Sequence, residues 1–183
     1  MQSFFLRLLV FVAAAMLAGC ASYEVTAGSD DNPVPLEPGS TDIVWKRTRT
    51  ENVLAKQEKG FGIQPTVLSS EERREMKVVR DQVLVELAGN MVPKLKSSLG
   101  PYISTSYNMT KYVLQLELNR VMIDADGSRN ITFTASLSEP PFGMGYWSRQ
   151  IRIYVPRFSS NSEISTKAAE AVVAQLRSAA MIR

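Results

Sequence analysis

Few residues in this chain could do chemistry, and their types narrow what it can be. Among 183 residues there is no histidine and one cysteine, Cys20. Catalytic triads, histidine bases and most zinc sites need an imidazole, so those classes fall away. A single cysteine rules out an internal disulfide and a thiolate cluster. Serine and lysine are plentiful, but beyond Cys20 there is no G-x-S-x-G elbow and no S-x-x-K pair. Asp124-Ala125-Asp126-Gly127 opens like a calcium loop, yet Ser128 and Arg129 stand where that loop wants an acid or amide and then a glycine. A hairpin turn is the simpler reading. Glu71, Glu72 and Glu75 lie beside Arg73 and Arg74 at an expected helix start, where carboxylates suit the helix dipole. Acid–base work would need opposed, partly desolvated carboxyls instead. The expectation is a protein that is not an enzyme, with no metal and no cofactor.

The cysteine has a different place in the chain. Met1 to Gly19 carries one charge, Arg7, then an apolar stretch from Leu8 to Leu17 that ends in small residues. About 20 apolar residues are needed to span a bilayer, so this segment reads as a secretory signal peptide over 1–19. It closes in Leu17-Ala18-Gly19-Cys20, which resembles the lipobox of bacterial lipoproteins. That resemblance implies cleavage before Cys20, a diacylglyceryl group on its sulfur and an acyl chain on its new amine. Cys20 is then the lipid attachment site. Several acyl chains hold far better than one, since each buried methylene contributes about 0.8 kcal/mol. Ala21 and Ser22 after the cysteine, in place of aspartate, imply the outer membrane by the same resemblance.

Residues 20–40 hold Pro33, Pro35, Pro38, Gly28 and Gly39 with four acids and no base. They are expected to form a flexible tether. A single domain over 41–183 is expected to follow. Its first part, Ile43-Val44-Trp45 and Val53-Leu54-Ala55, reads as one or two edge strands. Ser69-Ser70-Glu71-Glu72 is a capping signal, and Met76, Val79, Val83, Leu87, Met91 and Leu95 then mark one helical face. Pro93 predicts a kink or split between Gly89 and Pro93. Three strands follow. In the first, the apolar phase slips from Leu114, Leu116 and Leu118 to Val121 and Ile123, which predicts a bulge near Asn119 or Arg120. Ile131, Phe133, Ala135 and Leu137 line the second; Trp147, Ile151, Ile153 and Val155 line the third. Asn161 or Ser162 is expected to cap a last helix with Ile164, Ala168, Val172, Leu176 and Ala179 on one face. The order β-α-β-β-β-α predicts an α+β two-layer sandwich, an antiparallel sheet covered by two helices.

Two surfaces are candidates for binding. Between Lys46 and Arg80 there are nine basic residues against five acidic ones. Lys46, Arg47, Arg49, Arg73, Arg74 and Lys77 form the candidate face for anionic lipid or a glycolipid, or for an acidic partner surface. The other is Pro140 to Trp147, where Phe142, Met144, Tyr146 and Trp147 either fold back onto the core or present a docking patch. A formal charge of +3 gives no mandate for nucleic acid. In element order, residues 42 to 180 resemble small lipoproteins that support envelope export machines: the lipopolysaccharide-assembly and curli-export types and the auxiliary lipoproteins of lipid ABC transporters. The resemblance is architectural, so it carries over no functional residue. It implies an outer-membrane-anchored periplasmic accessory subunit, bound to the membrane by acyl chains and to an envelope protein partner. The alternatives are a lipid or glycolipid binder and, less favoured, an envelope hydrolase.

Overall fold

A computed structural model of the chain describes residues 22–29, 33–46, 54–57, 70–106, 109–124, 127–140, 143 and 145–183. The signal segment and Cys20 lie outside the described residues. In chain order the elements are β1 (Ser22–Ser29), β2 (Thr41–Trp45), β3 (Leu54–Gln57), α1 (Ser70–Ser98), a 3-10 turn (Gly100–Tyr102), β4 (Tyr112–Asp124), β5 (Arg129–Ser138), β6 (Gly145–Val155) and α2 (Asn161–Ser178). The fold is α+β, a sheet covered by two helices.

The centre of the sheet follows from side-chain alternation. Leu114, Leu116 and Leu118 of β4, Phe133, Ala135 and Leu137 of β5, and Trp147, Ile151 and Ile153 of β6 are buried on one face. Cross-strand pairs such as Leu118 with Phe133 and Phe133 with Ile151 align these residues into rows. The phase slip in β4 is a bulge, because the β4–β5 register shifts between Leu118 and Arg120. One extra residue there returns Val121 to the buried face opposite Ile131.

Strand order is β1-β6-β5-β4-β2, with β3 also on β4. β4, β5 and β6 are antiparallel neighbours as expected. The sheet as a whole is mixed rather than antiparallel, because β2 and β3 both run parallel to β4. The cause is the intervening helix. β3 leaves the sheet at the end where β4 will finish, and α1 carries the chain back to where β4 begins, so the strands before and after it point the same way.

The expectation of a tether over 20–40 is corrected. Ser22–Ser29 pairs antiparallel with β6 from Ser22 opposite Tyr154 to Ser29 opposite Ser148, with a bulge between Val25 and Ala27. Further on, the Leu36 side chain is buried, its N–H donates to Met181 O at 2.8 Å, and Ser40 is buried with its Oγ donating to Glu37 O. The short stretch lacked a long apolar period, yet the free edge of β6 offered a ladder of backbone partners that an extended chain can satisfy.

α1 is continuous through Pro93 rather than split there. Pro93 and Gly89 are both exposed, so the carbonyl that loses its helical donor faces water. Leu87, Met91 and Leu95 point into the core. The cap of α2 is Ser160, one residue before the expected Asn161: its Oγ accepts from Glu163 N at 3.2 Å. Ile164, Ala168, Val172 and Leu176 are buried as the spacing implied, and Ala169, Ala171 and Val173 join them because α1 packs alongside.

α2 stops in a Schellman arrangement. Met181 N–H donates to Leu176 O at 3.0 Å and Ala180 N–H to Arg177 O at 2.9 Å. The motif puts Ala180 at φ 55°, a left-handed conformation that costs an L-residue with a Cβ about 1–2 kcal/mol. Ala180→Gly should therefore stabilise the protein by about 1 kcal/mol after the greater unfolded-state freedom of glycine is counted. In thermal unfolding that is an increase of roughly 2–4 °C in Tm for a domain of this size; an unchanged or lower Tm would contradict the cap geometry.

Candidate functional site

Among the described residues both helices lie on one sheet face and leave the other without helical cover. Its residues alternate with the buried set and are polar: Gln115, Glu117 and Asn119 on β4, Thr132, Thr134 and Ser136 on β5, Ser148, Gln150 and Arg152 on β6. They are tied across strands. Lys46 Nζ meets Glu117 Oε2 at 3.0 Å, and Thr134 Oγ1 donates to Asn119 Oδ1 at 3.0 Å. Thr26 Oγ1 donates to Gln150 Oε1 at 2.9 Å, and Arg152 pairs with Glu24 at 2.7 Å. Exposed pairs of this kind contribute little to stability, about 0–1 kcal/mol. What they do is hold hydrogen-bonding groups in fixed positions on a flat surface.

At one edge that surface dips into an open groove of about 210 Å³ lined by Ser22, Tyr23, Glu24, Asn130, Arg152 and Tyr154. Its cation is compensated, since Arg152 donates to Glu24. Asn130 donates to Asp124. The groove presents neutral hydrogen-bonding character rather than an anion trap. β1 supplies three of the six lining residues, and reading 20–40 as a tether hid them. The signal available was the alternation Tyr23-Glu24-Val25-Thr26, short but rich in strand formers.

The candidate docking patch is changed by the structure. Trp147 is 1% exposed and Tyr146 8% exposed, so both are core residues rather than a presented patch. Phe142 and Met144 lie outside the described residues. Trp147 falls opposite Leu137 in the β5–β6 register, the position that the buried face needs filled. Arg149 stacks over its indole at 5.6 Å. Tyr146 packs edge-on against Tyr112 with ring centres 5.6 Å apart. Its hydroxyl donates to Glu139, and that hydrogen bond, with burial and the carboxylate charge, pushes the phenol up to about 12.

The basic candidates are scattered. Lys46 is engaged with Glu117. Arg74 is exposed in the first turns of α1. Arg47 and Arg49 lie outside the described residues, as do the side chains of Arg73 and Lys77. Lys111 pairs with Glu37, whose hydrogen bond and charge raise the lysine's pKa. The Asp124 carboxylate accepts from Ser128 Oγ at 3.2 Å and Asn130 Nδ2 at 3.1 Å, closing the hairpin turn at Gly127, whose φ is 81°. Asp126 is outside the described residues. Between the two helices Lys94 Nζ donates to Thr166 Oγ1 at 2.7 Å and to Ser162 Oγ at 3.5 Å, which sets an amine beside two hydroxyls.

No protein-family model and no curated protein matches the chain. Among solved structures it is similar to a point variant of the PelC dodecamer from Paraburkholderia phytofirmans, with a TM-score of 0.43 and 13% identity over 85% of this chain and 96% of that one. It is also similar to a protein from Xanthomonas campestris, with a TM-score of 0.40 and 13% identity over 87% of this chain and 97% of that one. Likeness at this level carries no argument about activity, partners or assembly.

The burial of Trp147 is directly measurable. Trp147→Ala should destabilise the protein by about 3–5 kcal/mol in denaturant unfolding, as for any large aromatic removed from a core. A loss below 1 kcal/mol would restore the docking reading.

Proposed function

We propose that this protein is a periplasmic lipoprotein held on the outer membrane by acyl chains on Cys20, and that it works by binding, as a non-catalytic accessory subunit of an envelope assembly or transport system. The observation that carries the reading is the lipobox Leu17-Ala18-Gly19-Cys20, standing two residues ahead of the first strand. Two residues span at most about 7 Å. An anchor at Cys20 therefore holds the sheet itself against the bilayer, with no tether between them. A partner would meet the uncovered polar face, whose side chains are already ordered by their cross-strand pairs. Such preordering lowers the entropy cost of association. Of the six cations behind the glycolipid alternative, Lys46 is paired with Glu117 and Arg74 is exposed, and the other four side chains lie outside the described residues.

Two measurements test the proposal. Palmitate supplied to growing bacteria should label the native chain and fail to label Cys20→Ser; equal labelling of both, or none of the native chain, would contradict the anchor. A photo-cross-linker at Thr134 or Gln150 should capture another envelope protein in intact envelopes. Recovery of monomer alone would remove the accessory-subunit role.

A further inference from the structure

We propose that the end of the sheet where β1 begins is a bilayer-contacting surface, with Phe158 seated among lipid chains and Arg157 and Arg129 on anionic headgroups. Pairing collects several chain segments there. Ser22 is opposite Tyr154, and Ile123, Arg129 and Val155 lie in one row across β4, β5 and β6. The turn at residues 157–158 follows directly and leads into α2. Phe158 is 91% exposed. Single exposed apolar residues are ordinary, but this one is not alone. Among the described residues the exposed aromatic side chains are Tyr23, Tyr154 and Phe158, and all three lie at this end. Tyrosine, with an apolar ring and a polar tip, suits a water–lipid boundary.

The charge fits an anionic surface. The Arg157 guanidinium lies 5.5 Å from the Phe158 ring centre. Its stem crosses the β4–β5 turn, close enough that a methyl on Gly127 would meet Cγ and Cδ at 3.3 Å. Arg129 begins β5 beside that turn. Two described acids at this end are engaged: Asp124 accepts from Ser128 and Asn130, and Glu24 is paired with Arg152. Arginine stems can lie along apolar surface with the cation at the headgroups, and basic residues near an anionic leaflet are attracted to it. A bilayer is favoured over a protein partner by the chain itself, because Ser22, which is at this end, follows Cys20 by two residues in the sequence. This preference rests on the proposed acylation.

The test places an environment-sensitive fluorescent amino acid at position 158 or, as control, at position 178 at the far end of α2. The full chain purified from bacterial envelopes is reconstituted into vesicles of phosphatidylethanolamine and phosphatidylglycerol with brominated acyl chains. Emission from position 158 should shift to the blue and be quenched by the brominated lipid, while position 178 keeps its aqueous emission. Aqueous emission at both positions, or equal quenching at both, overturns the proposal. So does a shift at position 158 that needs added envelope proteins, which would assign the surface to a protein partner. The palmitate experiment judges the anchor separately: a labelled chain with no quenching at 158 refutes the contact and leaves the anchor standing, whereas quenching in an unlabelled chain does the reverse.

Discussion

The rest of this structure depends on one requirement, that the continuous apolar face of β4, β5 and β6 be removed from water. Leu114, Leu116, Leu118, Phe133, Leu137, Ile151 and Ile153 are fully buried on it, and each such side chain is worth roughly 1.5–3 kcal/mol when taken from water. Only the helices can supply the cover. α1 contributes Leu87, Met91 and Leu95, and α2 contributes Ile164, Ala168, Val172 and Leu176. The small residues on α2 let the two helices lie close on one face. Direction follows from that arrangement: α1 must travel the length of the sheet between β3 and β4, which makes β2 and β3 parallel to β4.

With both described helices on one side, the opposite face and the outer edges carry polar chemistry. There the structure stays hydrogen-bonded through Thr26 with Gln150, Thr134 with Asn119 and Glu24 with Arg152. β1 belongs to this peripheral layer. All eight of its residues are exposed, so it is held by its backbone ladder to β6 more than by burial. It closes the edge of β6 and brings the start of the domain close to the site of the proposed anchor. The two halves of the functional account, attachment and presentation, therefore meet in one strand.

Legibility in the sequence tracked burial. Where one face is dry and the other wet, the two-residue period is written in side chains: the bulge after Leu118 could be read from the apolar phase, as could the inward sets of β5 and β6. The stripe of α2 was legible for the same reason. β1 was not, because a strand exposed on both sides has no such contrast and its neighbours Pro33, Pro35 and Pro38 speak for a linker. Strand direction in β2 and β3 was also hidden, since alternation is the same in either direction. Ser160, Asn161 and Ser162 are all good caps by type, and the choice fell to the one three residues ahead of Glu163. The glycines and prolines around Tyr146 and Trp147 fit a fold-back onto the core or a docking patch equally by type, while the strand period puts Trp147 inward; its place opposite Leu137 in the buried row agrees with the strand period. Cys20 remains a reading of sequence alone, and the residues that would present it are those before Ser22.

Backbone pairing of β1 to β6 is the claim that separates a domain held at the bilayer from one swinging on a tether. Amide hydrogen exchange of the full chain, resolved to peptides from the 22–29 segment, measures it directly. The account predicts protection of β1 amides well above that of an unstructured peptide, with the lowest protection at the bulge between Val25 and Ala27. Exchange across 22–29 at the rate of an unstructured chain, alongside a protected β6, would contradict it.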